Sequence, residues 1–151
     1  MTVSDGQGGT ATQTVSVGVA AVNDGPVVAA AASITTQEDT PVSGQVTASD
    51  VDGDTLSFAS SQGPANGTLT LNAATGAYTY AANANSNGAD SFQVTVADGH
   101  GGTATQTVNV GIAAVNDAPV TAATASISTQ EDTPISGQVT ASDVDGQNSQ
   151  R

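Results

Sequence analysis

The sequence predicts an all-β protein built as a Greek-key sandwich of seven short strands, present once in full and flanked by partial copies of itself. Three observations predict it. Apolar residues alternate with polar ones at period 2 between clusters of turn formers. No stretch carries a helical stripe, and the alanine run at 29–32 is too short to hold a helix. The chain also repeats itself at an offset of 93 residues, with 43 of 52 positions identical between 2–53 and 95–146. A period of that size is a domain; solenoid repeats run to roughly 20–50 residues. The repeat divides the chain into a C-terminal fragment of one repeat (1–23), a complete module (24–117), the N-terminal fragment of a following repeat (118–146) and a non-repeat tail (147–151). This pattern is that of a piece of a longer array.

Within the module, strands are expected near 33–36, 42–48, 55–59, 68–72 and 77–81. A sixth carries Phe92, Val94 and Val96 on one face, and a seventh carries Ala104, Val108, Val110 and Ile112. Asp98-Gly99-His100-Gly101-Gly102 is the hairpin loop between them. Seven short antiparallel strands over about 90 residues form a two-sheet sandwich. The four aromatic residues (Phe58, Tyr78, Tyr80, Phe92) all fall in the module, and the flanks have none. A core filled mostly by Ala and Val is thin, so the module should be only marginally stable alone. The flanks lack the middle strands and are expected to be loosely held. One hazard follows: residues 2–19 nearly copy 95–112 and compete for the same slot, within or between chains.

The charge is lopsided. Fourteen acids face a single basic residue, Arg151, for a net charge of -13. Phosphate binding needs Lys and Arg, so nucleic acid is excluded as a partner, and so is attraction to anionic lipid. No apolar run approaches the ~20 residues of a membrane-spanning helix. Cysteine is absent and His100 is the only histidine, which removes most nucleophile and acid–base constellations. An enzyme is not expected.

The acids are placed, not scattered. Six recur at the 93-residue offset: Asp5/Asp98, Asp24/Asp117, Glu38/Glu131, Asp39/Asp132, Asp50/Asp143 and Asp52/Asp145. A solubilising surface would intersperse lysines. Carboxylates that converge without cations repel one another. A hard divalent cation offsets that, and calcium takes 6–8 oxygen ligands. The densest run is Asp50-Val51-Asp52-Gly53-Asp54, in which alternate side chains can turn inward around the bend at Gly53. An EF-hand is ruled out, because its closing Glu position is Ser61. The remaining candidates take bland readings. His100 is an exposed loop residue, and Tyr78 and Tyr80 are core or half-buried sheet residues rather than a sugar platform. Asn66-Gly67-Thr68 is a turn.

The order of a Glu near the first strand, then ASDVDGD, VADGHGG and AAVNDAPV, resembles a cadherin-type repeat. It is closest in pattern to the cadherin-like tandem modules, often found beside VCBS-type repeats, of large bacterial adhesins exported by type I secretion. The resemblance covers residues 2–146. It implies Ca2+ between successive modules, stiffening an extracellular array for cell adhesion or biofilm attachment. Neighbouring modules are the implied partners, with cell-surface or matrix polysaccharide or protein beyond them. Carried over residue by residue, the first linker would collect Asn23, Asp24, Asp50, Asp52 and Asp98, with Asp54 beside them. The second would collect Glu38, Asn116, Asp117, Asp143 and Asp145. Each is a half-site, lacking an acid from the neighbouring module. The cadherin Leu-Asp-Arg-Glu motif is missing, since no Arg or Glu occurs between Asp54 and Asp90. Fewer ions per linker follow from that. A polysaccharide- or protein-binding sandwich without obligatory calcium is the competing expectation.

Overall fold

The computed structural model describes residues 1–121 and 124–145; the tail at 147–151 lies outside them. Among the described residues there are strands and turns and no helix. The complete module contains β3 (Val27–Val28), β4 (Ala31–Gln37), β5 (Val42–Gln45), β6 (Ala48–Ser49), β7 (Ser57–Gln62), β8 (Gly67–Leu71), β9 (Ala77–Ala82), β10 (Gly88–Ala97) and β11 (Thr103–Ala113). The first flank forms the hairpin β1 (Thr2–Ser4) and β2 (Thr10–Thr12), and the second pairs β12 (Val120–Thr121) with β13 (Ala141–Ser142).

Two sheets make the sandwich. One runs β4-β11-β10-β7 and the other β5-β9-β8, with β3-β6 as a short side ladder. The chain crosses between the sheets after β4, after β5–β6, after β7 and after β9, which is why neighbours in sequence seldom share a sheet.

The alternation in β10 and β11 is realised as expected. Phe92, Val94 and Val96 point inward with Val108, Val110 and Ile112, and their polar neighbours face out. Phe58 of β7, Tyr78 and Tyr80 of β9, and Val46 between β5 and β6 close the core from the other side. Phe92 is its centre, edge-on to Tyr78 (centroids 5.2 Å apart) and stacked with Tyr80 at 6.3 Å. Tyr78 and Tyr80 are thus core residues. Fully burying each of these side chains contributes about 1.5–3 kcal/mol.

Besides adding the short strand β3, the structure departs from the sequence expectation in four places. The strands are not all antiparallel: β4 pairs with β11 in parallel, Ala31 beside Thr107 through Gln37 beside Ala113. The reason is directional. The chain enters the module at one pole and leaves at the other, so its first and last long strands run the same way. The stretch 42–48 is split, because Val46 N–H donates to Gly76 O and the chain then turns away from β9 to pair with β3. β7 begins later than expected, since Ser57 pairs with the last residue of β10 and leaves Thr55 and Leu56 in the preceding loop. β10 begins earlier, at Gly88.

Asp90 explains that early start. Its carboxylate accepts from the amides of Ala65, Asn66 and Ser91 and from the Tyr80 hydroxyl at 2.8 Å. Burial pushes the Asp90 carboxyl up, but these four donors outweigh it and hold the group below the ordinary value. Burial and the neighbouring Asp90 push the Tyr80 hydroxyl up. The residue is a fastening between the β7–β8 loop and β10, and its donors are all supplied by the module.

Candidate metal centre

Ten of the fourteen acids lie at the two poles of the module, where loops and linkers meet. At the first pole the entry linker, the loop after β6 and the β10–β11 turn come together. Asn23 Nδ2 donates to Asp98 Oδ2 at 2.9 Å, and Asp24 N–H donates to Asp52 Oδ2 at 2.7 Å. Asp52 N–H in turn donates to Asp50 Oδ1, curling the loop. Asp50, Asp52 and Asp54 each present a carboxylate oxygen within 4.8 Å of the others. Asp50 Oδ2 is buried with no hydrogen-bond partner. The first-linker set of the sequence analysis is therefore one spatial group.

Asp98 has a second role. It is buried, and its Oδ1 accepts from the amides of His100 and Gly102, stapling its own turn. Asn23 first, and then those amides, hold its carboxyl below the ordinary range despite burial. Gly102 is required here, because a Cβ on it would strike Asp98 Oδ2 and lie 2.7 Å from the Gly25 Cα.

At the second pole the turn after β4 meets the end of β11 and the second flank. Glu38 is 1% exposed. One of its oxygens accepts from Val115 N–H at 2.7 Å; the other, Oε2, is buried and has no partner. Asp117 N–H donates to Asp145 Oδ2 at 2.6 Å and Asp145 N–H to Asp143 Oδ1, repeating the Asp24–Asp52–Asp50 chain of the first pole. Desolvation raises the Asp117 carboxyl, and the charges of Asp145, Asp39, Glu38 and Asp143 raise it further. Four acids thus surround a fifth with no cation among them.

Asn116 departs from its first-pole counterpart. Its side-chain amide donates to Asp117 O instead of to a carboxylate. The position that corresponds to Asp98 one period later falls past the last residue of the chain.

Two participants escaped the sequence reading. Asp39 was counted among the recurring acids but not placed in a site. It sits on the left-handed backbone at φ 61°, as Asp132 does at 62°, and its charge acts on Asp117. The signal available was its recurrence beside the recurring Glu. His100 is exposed as expected, but its Nδ1 lies 3.1 Å from Asp54 Oδ2 and so ties the β10–β11 turn to the acidic loop. Its counterpart Gln7 carried no hint of that.

The donor set suits a hard cation. It consists of carboxylate and amide oxygens, with two buried carboxylate oxygens, Glu38 Oε2 and Asp50 Oδ2, that no protein group satisfies.

A family model described as Bacterial Ig domain matches residues 23–111. No curated protein matches the chain. Among solved structures, human protocadherin-24 EC1-2 (form II) is 28% identical, with a TM-score of 0.58 over 81% of this chain and 62% of that one. The protocadherin GammaB4 extracellular domain is 21% identical, with a TM-score of 0.58 over 89% of this chain and 26% of that one. An endo-fucoidan hydrolase from glycoside hydrolase family 107 is 21% identical, with a TM-score of 0.50 over 60% of this chain; the chain spans 14% of its length. No helix among the described residues is long and apolar enough to cross a membrane.

Proposed function

Because the chain belongs to the bacterial Ig domain family and carries a cadherin-like sandwich with acids at both poles, we propose that it is a calcium-binding extender module of a bacterial adhesin. In this reading Ca2+ sits at the linkers between successive modules of an extracellular array and stiffens it for attachment. The observation that carries it is Glu38, buried to 1% exposure, with one oxygen unpaired and its charge acting on Asp117. A buried polar atom without a partner is costly, and a carboxylate facing further carboxylates more so. Glu38, Asp117, Asp143 and Asp145, with Asp39 and Asn116, would hold the ion at the second pole. Asp50, Asp52 and Asp54, with Asn23, Asp24 and Asp98, would hold it at the first. The ion supplies positive charge and open coordination positions; it takes part in no reaction. Neighbouring modules are the partners, and polysaccharide or protein on a surface is the target of the whole adhesin.

Thermal melts of the chain in EDTA, magnesium and a calcium titration test this. Binding to the folded state alone stabilises by about 2.7 kcal/mol at a hundredfold excess over Kd. For a domain of this size each 1 kcal/mol moves the midpoint by roughly 4–8 °C. The expected result is a calcium-selective rise that Glu38→Gln diminishes and that Asp50→Ala with Asp52→Ala diminishes further. A cooperative melt in EDTA that calcium leaves unmoved would overturn the reading and favour a sandwich that binds its partner without calcium.

A further inference from the structure

The three-stranded sheet β5-β9-β8 carries no charged residue, although the chain has a net charge of -13. Its strand β8 pairs with β9 without a break, from Gly67 opposite Ala82 to Leu71 opposite Tyr78. Among the described residues β8 has no partner on its other side. That side is a row of unpaired backbone donors and acceptors, a template for a further strand. The strand lies in the middle of the complete module, away from both acidic poles and from both flanks.

The other free edges of the two sheets are each guarded. β4 runs into the exposed Asp39. β5 is four residues long, follows Pro41 and ends where Val46 turns to Gly76. β7 carries the register shift at Gln93 and Val94 and is followed by Pro64. Acid, proline and bulge are the devices that keep an edge from pairing. β8 has none of them, and Asp90 near its start is occupied by the four donors described above. The side chains of β8 also suit a copy of itself. Leu69 and Leu71 point inward yet stay only half-buried, where Phe92, Val94 and Val96 of β10 are buried. Thr68 and Thr70 are exposed on the outer face. Hydroxyls there pair across strands elsewhere in the module, Ser43 with Thr79 and Thr95 with Thr105, both at 3.0 Å. Thr70 lies opposite Thr79, which Ser43 has taken, and Thr68 lies opposite Ala81, which has no hydroxyl.

We propose that β8 of one copy of this chain pairs antiparallel with β8 of a second copy about a two-fold axis at Leu69, joining the two three-stranded sheets edge to edge. Leu69 then stands opposite Leu69 of the second copy, and Thr68 opposite Thr70 of the second copy. The leucines cover one another at the rim of the sandwich, and the threonine hydroxyls find the cross-strand partners they lack. The contact is isologous, so it closes at two copies. An edge contact of this kind buries less than about 1,200 Å2, the range of weak encounters. In an array each complete module brings one such strand, and linked weak contacts gain by avidity, so two arrays are held side by side. The opposing force is the net charge of -13, so association strengthens with ionic strength. No acid takes part in the contact, and it does not depend on calcium at the linkers.

Sedimentation velocity of the whole chain up to about 1 mM, in EDTA and in calcium and at low and high salt, tests the proposal. The expected result is a monomer that passes to a dimer with concentration and to nothing larger, with more dimer at high salt. Thr68→Lys with Thr70→Lys, and separately Thr68→Glu with Thr70→Glu, change only exposed positions outside the core. Each double variant should be monomeric with an unchanged melting midpoint. Mixed in equal amounts the two should recover the dimer, because opposite charges then face each other across the axis. Thr35→Lys, on the outer face of β4, should leave the parent's dimer as it is. Monomers at every parent concentration would overturn the proposal, as would assembly that survives both double variants or a mixture that stays monomeric. A dimer in EDTA without any calcium shift in the melt would sustain it while the calcium reading fails.

Discussion

The Val115 amide donates to Glu38 Oε1 at 2.7 Å, while the second oxygen of the same carboxylate is buried without a partner. One side chain therefore ties the end of β11 to the turn after β4 and points an unsatisfied oxygen at the second acidic pole. The two roles separate by substitution. Glu38→Gln retains an acceptor for Val115, so stability in EDTA should stay within about 1 kcal/mol of the parent while the calcium response falls. Glu38→Ala leaves that amide unpaired and should cost about 1–3 kcal/mol in EDTA as well. Urea unfolding with and without calcium distinguishes them.

Tyr80 and Asp90 form the other buried fastening, at 2.8 Å. Tyr80→Phe should lower stability by about 1–2 kcal/mol, and it should do so much less in an Asp90→Asn background. The acid dependence follows from the sign of the shift. The Asp90 carboxyl is held below its ordinary value of 3.8, so the folded state binds its proton more weakly than the unfolded chain. That stabilisation is present above about pH 4 and is lost as pH falls through the depressed value. The fall in unfolding free energy between pH 7 and pH 3 should be larger in the parent than in Asp90→Asn.

Asp117 titrates in the opposite sense. Desolvation and then the surrounding acids raise its carboxyl above 3.8, so without a cation the folded state binds its proton more tightly than the unfolded chain. This group's contribution falls as pH rises from the unfolded value through the raised one. In EDTA at pH 7, Asp117→Asn should melt higher than the parent. In saturating calcium the order should reverse. Paired melts across pH 4–8 read both effects.

Gly76 sits at φ 73°, where a Cβ would strike the Val46 carbonyl and lie 2.8 Å from Phe58 Cε1. Both the backbone and the core resist it. Gly76→Ala should cost more than about 2 kcal/mol, enough to remove a large share of the stability of so thin a core, and guanidinium titration at low temperature measures it.

Much of the molecule was legible in the sequence because its signals are local. The period-2 runs around Phe92 and Val108 fixed two strands and their inward faces, and the turn residues at 98–102 fixed the hairpin between them. The cadherin resemblance marked which acids to group, and at the first pole Asn23 bonds Asp98 and Asp24 bonds Asp52. What stayed hidden depends on partners distant in sequence. Nothing local to 31–37 says that β4 lies parallel to a strand 76 residues on. The role of Asp90 is hidden because three of its four donors come from 65–66 and 80. Asp39 needed the backbone conformation of its turn before its place beside Asp117 could be seen.

The parallel ladder between β4 and β11 has a mechanical consequence. These are the first and last long strands of the module, and seven consecutive residue pairs join them. Tension applied between the two ends of the module pulls β4 toward the N-terminus and β11 toward the C-terminus. The ladder is then loaded in shear, its evenly spaced bonds sharing the strain, instead of being peeled open one rung at a time. A sandwich with so thin a core is in this way wired to resist being stretched, and its lifetime under load is set by the unfolding rate rather than by its equilibrium stability.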